Sequence, residues 1–245
     1  MGESRGARAK MNEPKLFLRA RWQDLVLITY DVDPELLAEH IPRGLEPDTI
    51  DGRAFVSLVA FDFLDTKIKG IKVPFHVNFP EINLRIYVKN ADKRGVVFVR
   101  EFVPKAIIPL IANTLYNENY KAITMSSEVQ KNGSIFLNHK IKHLGKFYEI
   151  SVEAENKPYM PEENSTEHFF KEHEWGFGTS RDGNPLIYKV EHPFWNVYPV
   201  VKFQHDFDFD AIYGKKWAIL NGKQPYNVTF SQGSAVKVFE GQLME

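Results

Sequence analysis

Residues 81–89, Glu-Ile-Asn-Leu-Arg-Ile-Tyr-Val-Lys, alternate polar and apolar side chains almost without a break. A period of two places successive side chains on opposite faces of a β-strand, so this segment commits the chain to a sheet with one face in a core. Glu81, Asn83, Arg85 and Tyr87 share one face, and Ile82, Leu84, Ile86 and Val88 share the other. Two arrangements satisfy the pattern. In one, the polar face is an ordinary solvated surface carrying a charge pair. In the other it points into a cavity, where a carboxylate, an amide, a guanidinium and a phenol converge on a ligand.

The flanking sequence builds outward from this strand. A turn at 92–95 returns the chain along Val96–Phe102 as a hairpin. Upstream, Leu25–Tyr30 reads as a strand, and Asp33-Pro34-Glu35 reads as a capped helix start bearing Leu36, Leu37 and Ile41 until Pro42. Asp51-Gly52 introduces an almost continuously apolar run, Arg53–Phe63, read as a strand pair covered on both faces. Helical spacing of Ile107, Ile108, Leu110, Ile111 and Leu115 predicts a helix over Pro104–Tyr116. Short strands follow near 122–130, 134–142 and 146–155, then a polar loop at 156–168 and a short helix at Phe169–His173. A turn at Arg181–Asn184 leads to a strand over Leu186–Glu191, and a last strand falls near 226–239. Asp206-Phe-Asp-Phe-Asp210 reads as an alternating strand with Phe207 and Phe209 inward. Turns recurring about every 10–12 residues are the mark of a sandwich or barrel. The expectation is one mostly β (α+β) domain over residues 12–245 with two or three helices, after a disordered lead-in at 1–11.

Composition then narrows the function. In 245 residues, 31 basic side chains nearly balance 32 acidic ones, which excludes the basic excess of a nucleic-acid or anionic-membrane binder. The absence of cysteine removes disulfides, thiolate catalysis and cysteine–zinc sites. No run approaches the roughly 18 apolar residues of a membrane helix, and the first residues lack a secretory h-region, so a cytoplasmic chain is expected. Fingerprints for dinucleotides, P-loops, zincins and hydrolase elbows are missing; Gly176-Phe-Gly178, for example, meets Arg181 where a third glycine belongs. His139 and His143 share a strand face about 13 Å apart, too far for one metal, and His168 and His173 sit five apart. These histidines are read as solvent-facing or structurally hydrogen-bonded, with no metal site. Lys121, after the helix, is either solvated surface or, if buried among aromatics, an amine available for imine formation.

Several segments together resemble the YqjF-like uncharacterised family (domain of unknown function 2071), which has the acetoacetate decarboxylase-like fold. They are Trp22 with the strand after it, Pro34–Leu37, Ile41–Leu45, Gly52–Val59, Phe79–Val88, Arg94-Gly95-Val96 and His192–Trp195. The resemblance spans about residues 15–200, in order. It implies a β-barrel with flanking helices around a central cavity, into which the Glu81 face would point. The decarboxylase carries a Gly-x-Pro-Lys-Lys segment whose first lysine forms an imine beside a second cationic group. Laid on Asn117–Lys121, that lysine falls on Tyr120 and its helper on Lys121; a one-residue slip makes Lys121 the nucleophile.

Two functions share this cavity. In an enzyme acting on a small carboxylate or carbonyl compound, Arg85 binds the carboxylate, with Asn83 and Tyr87 beside it. Glu81 then serves as acid or base, Tyr120 donates to a developing oxyanion, or Lys121 forms the imine. In a non-catalytic small-molecule binding protein, Glu81 and Arg85 are a structural pair ordering an aromatic pocket. Neither requires a cofactor. A third reading has a filled interior and a protein that works through its surface or as a homo-oligomer.

Overall fold

The computed structural model describes residues 14–105 and 119–244. The helix expected over Pro104–Tyr116 lies, but for its first two residues, outside them, as does the 1–11 lead-in. Among the described residues there are fifteen strands: β1 (Leu16–Val32), β2 (Glu46–Pro47), β3 (Ala54–Ile68), β4 (Phe79–Asn90), β5 (Lys93–Val103), β6 (Tyr120–Ala122), β7 (Thr124–Asn132), β8 (Ser134–His143), β9 (Lys146–Glu155), β10 (Trp175–Thr179), β11 (Pro185–Glu191), β12 (Val197–Tyr198), β13 (Val200–His205), β14 (Asn227–Phe239) and β15 (Gln242–Leu243). Short α-helices among the described residues are α1 (Pro34–Leu37), α2 (Thr166–Lys171) and α3 (Phe209–Tyr213).

The larger sheet is paired in the order β14–β1–β3–β4–β5–β10–β11, and β11 pairs again with β14 through Val190–Val238 and Glu191–Lys237. The strands therefore follow one another around a ring. Most of its seams are antiparallel, but β5 and β10 run parallel. A second sheet, β13–β9–β8–β7, lies on the outside of the ring. Its Ile135, Leu137, Ile150 and Val152 pack in one core with Val26, Leu58, Ile82 and Leu84 from the ring's outer face. Ser127 and Lys131 of β7 pin the two layers by bonding Asp62 (2.8 Å) and Asp24 (2.9 Å).

This double covering explains the apolar run at 53–63. The first eight residues of β3 are all buried, with Val56, Leu58 and Ala60 facing the second sheet and Phe55, Val59 and Phe61 facing into the ring. The segment is one long strand, not the strand pair expected. The Asp33 cap forms, its side chain accepting from the Glu35 amide at 2.9 Å, but α1 tightens into a 3₁₀ turn at Ala38–His40 before Pro42. The stretch 206–210 also departs from expectation. Phe207 and Phe209 are buried as foreseen, yet Asp208 accepts from the Ala211 amide and so caps α3, where an alternating strand was read.

Candidate functional site

The inner face of the ring encloses a cavity of about 130 Å³. One side is aromatic. Trp22 meets Phe61, Phe63 and Trp195 edge-on at 5.5–6.0 Å between ring centres, and Phe63 stacks on Phe79 at 4.8 Å. The polar wall is β4, whose Glu81, Asn83 and Arg85 all line the space. Four residue steps of strand, about 13 Å, carry the chain from Glu81 to Arg85 and divide the cavity into a carboxyl end and a cationic end.

At the carboxyl end, Asn83 Nδ2 donates to Glu81 Oε1 at 2.9 Å and the Tyr120 hydroxyl donates to Glu81 Oε2 at 3.2 Å. Burial pushes the Glu81 carboxyl up to about 7, against the two hydrogen bonds, which favour the anion. The Tyr120 phenol is held well above its usual range by burial first, then by Glu101 and Glu81 beside it, so it stays neutral and donates. Glu101 reaches the cavity through a β-bulge. Leu84 pairs with Arg100 and Arg85 with Phe98, so Val99 is an extra residue in β5 and every side chain after it changes face. Glu101 turns in beside Asn83, while Arg100 turns out to donate to the Ile212 carbonyl on α3 at 3.1 Å.

At the cationic end, Arg85 Nη2 donates to the Phe170 carbonyl (2.9 Å) and to the Tyr87 hydroxyl (3.4 Å). Tyr87 in turn shares a buried hydroxyl chain with Ser57 and Thr29, each link 2.6 Å. These partners are neutral, and Arg85 makes no ion pair among the described residues. The segment from α2 brings in two more groups: Lys171, ion-paired with Glu172, and His173, whose Nε2 lies 3.1 Å from Asp48 Oδ2. Asp48 also accepts from Arg94 Nε at 2.6 Å. Burial raises the Asp48 carboxyl, but the His173 and Arg94 hydrogen bonds outweigh it and hold the group below its ordinary value. Burial lowers His173 to about 4, with Arg94 and Arg85 adding to the effect and Asp48 opposing it. The imidazole is therefore neutral near pH 7. Because a carboxylate only accepts, its proton sits on Nε2.

Of the residues singled out in the sequence, Glu81, Asn83, Arg85 and Tyr120 meet at the cavity wall. Tyr87 is fully buried behind it, supporting Arg85. Lys121 is exposed and does not line the cavity. It follows Tyr120 in β6, so alternation sends it away when Tyr120 points in. Sequence reasoning missed Glu101, because nothing in β5 marks the bulge. It also missed Lys171 and Asp48, which reach the site through loops and a two-turn helix. His173 was noted only for its spacing to His168; it is buried against Tyr87 and Phe169 (4.8 and 5.5 Å). Among the described residues no group of three or more potential metal ligands exists. Nor is any helix there long and apolar enough to cross a membrane.

A ring of strands around a polar-walled cavity, with a second sheet outside, is the acetoacetate decarboxylase-like architecture. Several solved structures share it. The enduracididine biosynthesis enzyme MppR complexed with pyruvate superposes with a TM-score of 0.65, at 16% identity, over 99% of this chain and 95% of that one. An acetoacetate decarboxylase-like enzyme from Sphingomonas wittichii RW1 gives 0.65 at 11% identity over 100% and 98%. The acetoacetate decarboxylase of Legionella pneumophila gives 0.64 at 12% over 99% and 92%. Within this fold, residues 19–235 match the DUF2071 model, described as an uncharacterised conserved protein, and the chain belongs to that family. A curated relative, the uncharacterised protein YqjF of Bacillus subtilis, is 26% identical over 180 residues, which is 73% of this chain and 74% of that protein.

Proposed function

We propose that the ring cavity binds a small organic acid, its carboxylate held by Arg85 and its apolar part by the aromatic wall, with Glu81 exchanging a proton with the bound molecule. The observation that carries this reading is Arg85 itself. Among the described residues this half-buried guanidinium meets only a carbonyl, a hydroxyl and the Tyr87 ring face, without the counter-charge that buried cations ordinarily have. A ligand carboxylate supplies it. Glu81, whose carboxyl burial pushes up to about 7, is suited to giving or taking a proton near neutral pH. MppR, which shares the fold, is a pyruvate-binding protein in the complex described above. An imine on Lys121 is not part of the proposal, since that side chain is exposed and off the cavity wall.

The test compares 4-phenylbutyrate with its neutral amide by thermal unfolding and calorimetry. The acid is expected to raise the unfolding midpoint and the amide to leave it unchanged. In Arg85→Met the acid's affinity is expected to fall by about tenfold or more. Equal stabilisation by acid and amide, or an undiminished affinity in Arg85→Met, overturns the assignment.

A further inference from the structure

Buried polar atoms are almost always hydrogen-bonded, and those that are not call for an explanation, which on a cavity wall is a partner arriving from outside. Three such atoms belong to cavity-lining side chains at the cationic end and next to it. Arg85 Nε, a donor, finds no partner among the described residues; neither do Asn83 Oδ1 and His173 Nδ1, both acceptors. Asn83 and His173 are themselves buried, with 2% and 8% of their surface exposed. Asn83 is the neighbour of Arg85 on the inner face of β4. His173 follows Phe170, whose carbonyl Arg85 holds, by three residues. The acceptor character of His173 Nδ1 is fixed by structure: Asp48, anchored by Arg94, takes the Nε2 proton's hydrogen bond and leaves the lone pair on Nδ1. Asn83 is fixed the same way, because its amide NH₂ is committed to Glu81 and its oxygen is left over.

Beside Arg85, a wall cation with no ion pair among the described residues, the wall therefore offers two acceptors that lack a donor there. A bare alkyl carboxylate or a 2-oxo acid satisfies the cation and leaves both acceptors empty, since a ketone oxygen cannot donate. We infer that the cavity selects a carboxylate that also carries a hydrogen-bond-donating hydroxyl near it, a 2- or 3-hydroxy acid, with the carboxylate on Arg85 and the hydroxyl donating to His173 Nδ1 or Asn83 Oδ1. This rests on the proposal that Arg85 takes a carboxylate. His173 is a specificity-determining acceptor here, oriented by Asp48 and Arg94. It is not the base of a reaction, because an imidazole so reluctant to take a proton is a poor proton acceptor at neutral pH. Sites that hydrogen-bond a substrate hydroxyl reject the analogue lacking it far more strongly than apolar pockets discriminate by size, because the site's own polar atoms are then left unpaired.

The experiment uses three acids of one skeleton, 2-hydroxy-4-phenylbutyrate, 2-oxo-4-phenylbutyrate and 4-phenylbutyrate, with affinities measured on the full chain. The hydroxy acid is expected to bind at least about tenfold tighter than the other two. His173→Leu is expected to bring the three within about twofold of one another, and His173→Asn, whose Oδ1 can stand where Nδ1 stood, to restore part of the preference. The wild-type comparison decides the matter even if the variants fold poorly. Equal binding of all three acids, weakened in Arg85→Met, overturns this inference and leaves the carboxylate proposal standing. Binding of none overturns both. A hydroxyl preference that persists in His173→Leu, folded as judged by its unfolding transition, removes His173 from the assignment.

Discussion

Glu81 changes charge within the ordinary working range of pH, and that couples it to stability as well as chemistry. In the folded chain burial lifts its carboxyl from 4.5 to about 7. Between those values the folded state holds a proton that the unfolded state has released. Raising the pH through that window therefore costs about 1.4 kcal/mol of stability per unit. The associated stability is complete below pH 4.5 and gone above about 7. Glu81→Gln, which keeps the shape and one oxygen to accept from Asn83 or Tyr120, escapes the loss. Its stability relative to the parent is expected to improve by about 2–3 kcal/mol between pH 4.5 and pH 8, read from urea unfolding at the two values. A relative stability that does not move with pH would show that Glu81 stays ionised in the fold. This residue was legible in the sequence because strict alternation put it, Asn83 and Arg85 on one face. Glu101 was not, since the same alternation continued along β5 places Arg100 inward. Only the extra residue at Val99, a property of strand pairing, exchanges the two.

At the scale of the element, β8 poses the complementary case. Its odd positions, Ile135, Leu137, His139 and Ile141, face the ring. His139 is fully buried there, and neither of its nitrogens has a hydrogen-bond partner among the described residues. It is neither solvent-facing nor structurally hydrogen-bonded, as was expected of it, although its apolar strand-mates could have said so. Burial lowers the ring to about 3 from an ordinary 6.5. As pH falls below 6.5 the unfolded chain takes up a proton that the folded chain refuses until about 3, so stability is lost through that window. His139→Leu matches the ring's neighbours and removes the titration. Its advantage over the parent is expected to grow by about 2 kcal/mol between pH 7.5 and pH 5. Acid unfolding followed by circular dichroism measures this. Between pH 6.5 and 5 the slope is expected to flatten nearly to zero, since His173, lowered to about 4 by its own burial, contributes in the same direction as His139, and Glu81, raised to about 7, in the opposite one. A slope identical to the parent's would mean that water already reaches His139. The strands of this sheet were readable from turn spacing. Their docking was not, because Ser127 and Lys131 find Asp62 and Asp24 only after the ring has formed.

For the whole molecule, the decisive event is the return of the sheet to its start, and its weakest seams are the short ones. β5 and β10 share only three register pairs and β11 and β14 only two, against twelve between β1 and β14. Two glycines near the first seam look alike in sequence and differ in what they permit. A Cβ on Gly95 would stand 2.2 Å from the Trp175 carbonyl oxygen, which is backbone of the adjoining strand. A Cβ on Gly176 would instead enter the ring of Tyr188, 2.0 Å from its Cζ, and Tyr188 lines the cavity. In Gly95→Ala the clash cannot be relieved by a side-chain rotation, so strands β5 and β10 must part and the ring opens. A loss of about 3 kcal/mol or more is expected, with 4-phenylbutyrate binding falling alongside as the wall separates. In Gly176→Ala, Tyr188 can swing aside at smaller cost, but it swings within the cavity. Stability is then expected to change by about 1 kcal/mol while affinity for the acid shifts several-fold. Urea unfolding and calorimetry on the same two proteins separate the outcomes. If Gly176→Ala proves as unstable as Gly95→Ala and binds unchanged, Tyr188 is a structural wedge and the aromatic wall ends short of it. If Gly95→Ala is tolerated, the parallel seam is not what holds the ring shut, and the two pairs between β11 and β14 must carry the closure that defines the site.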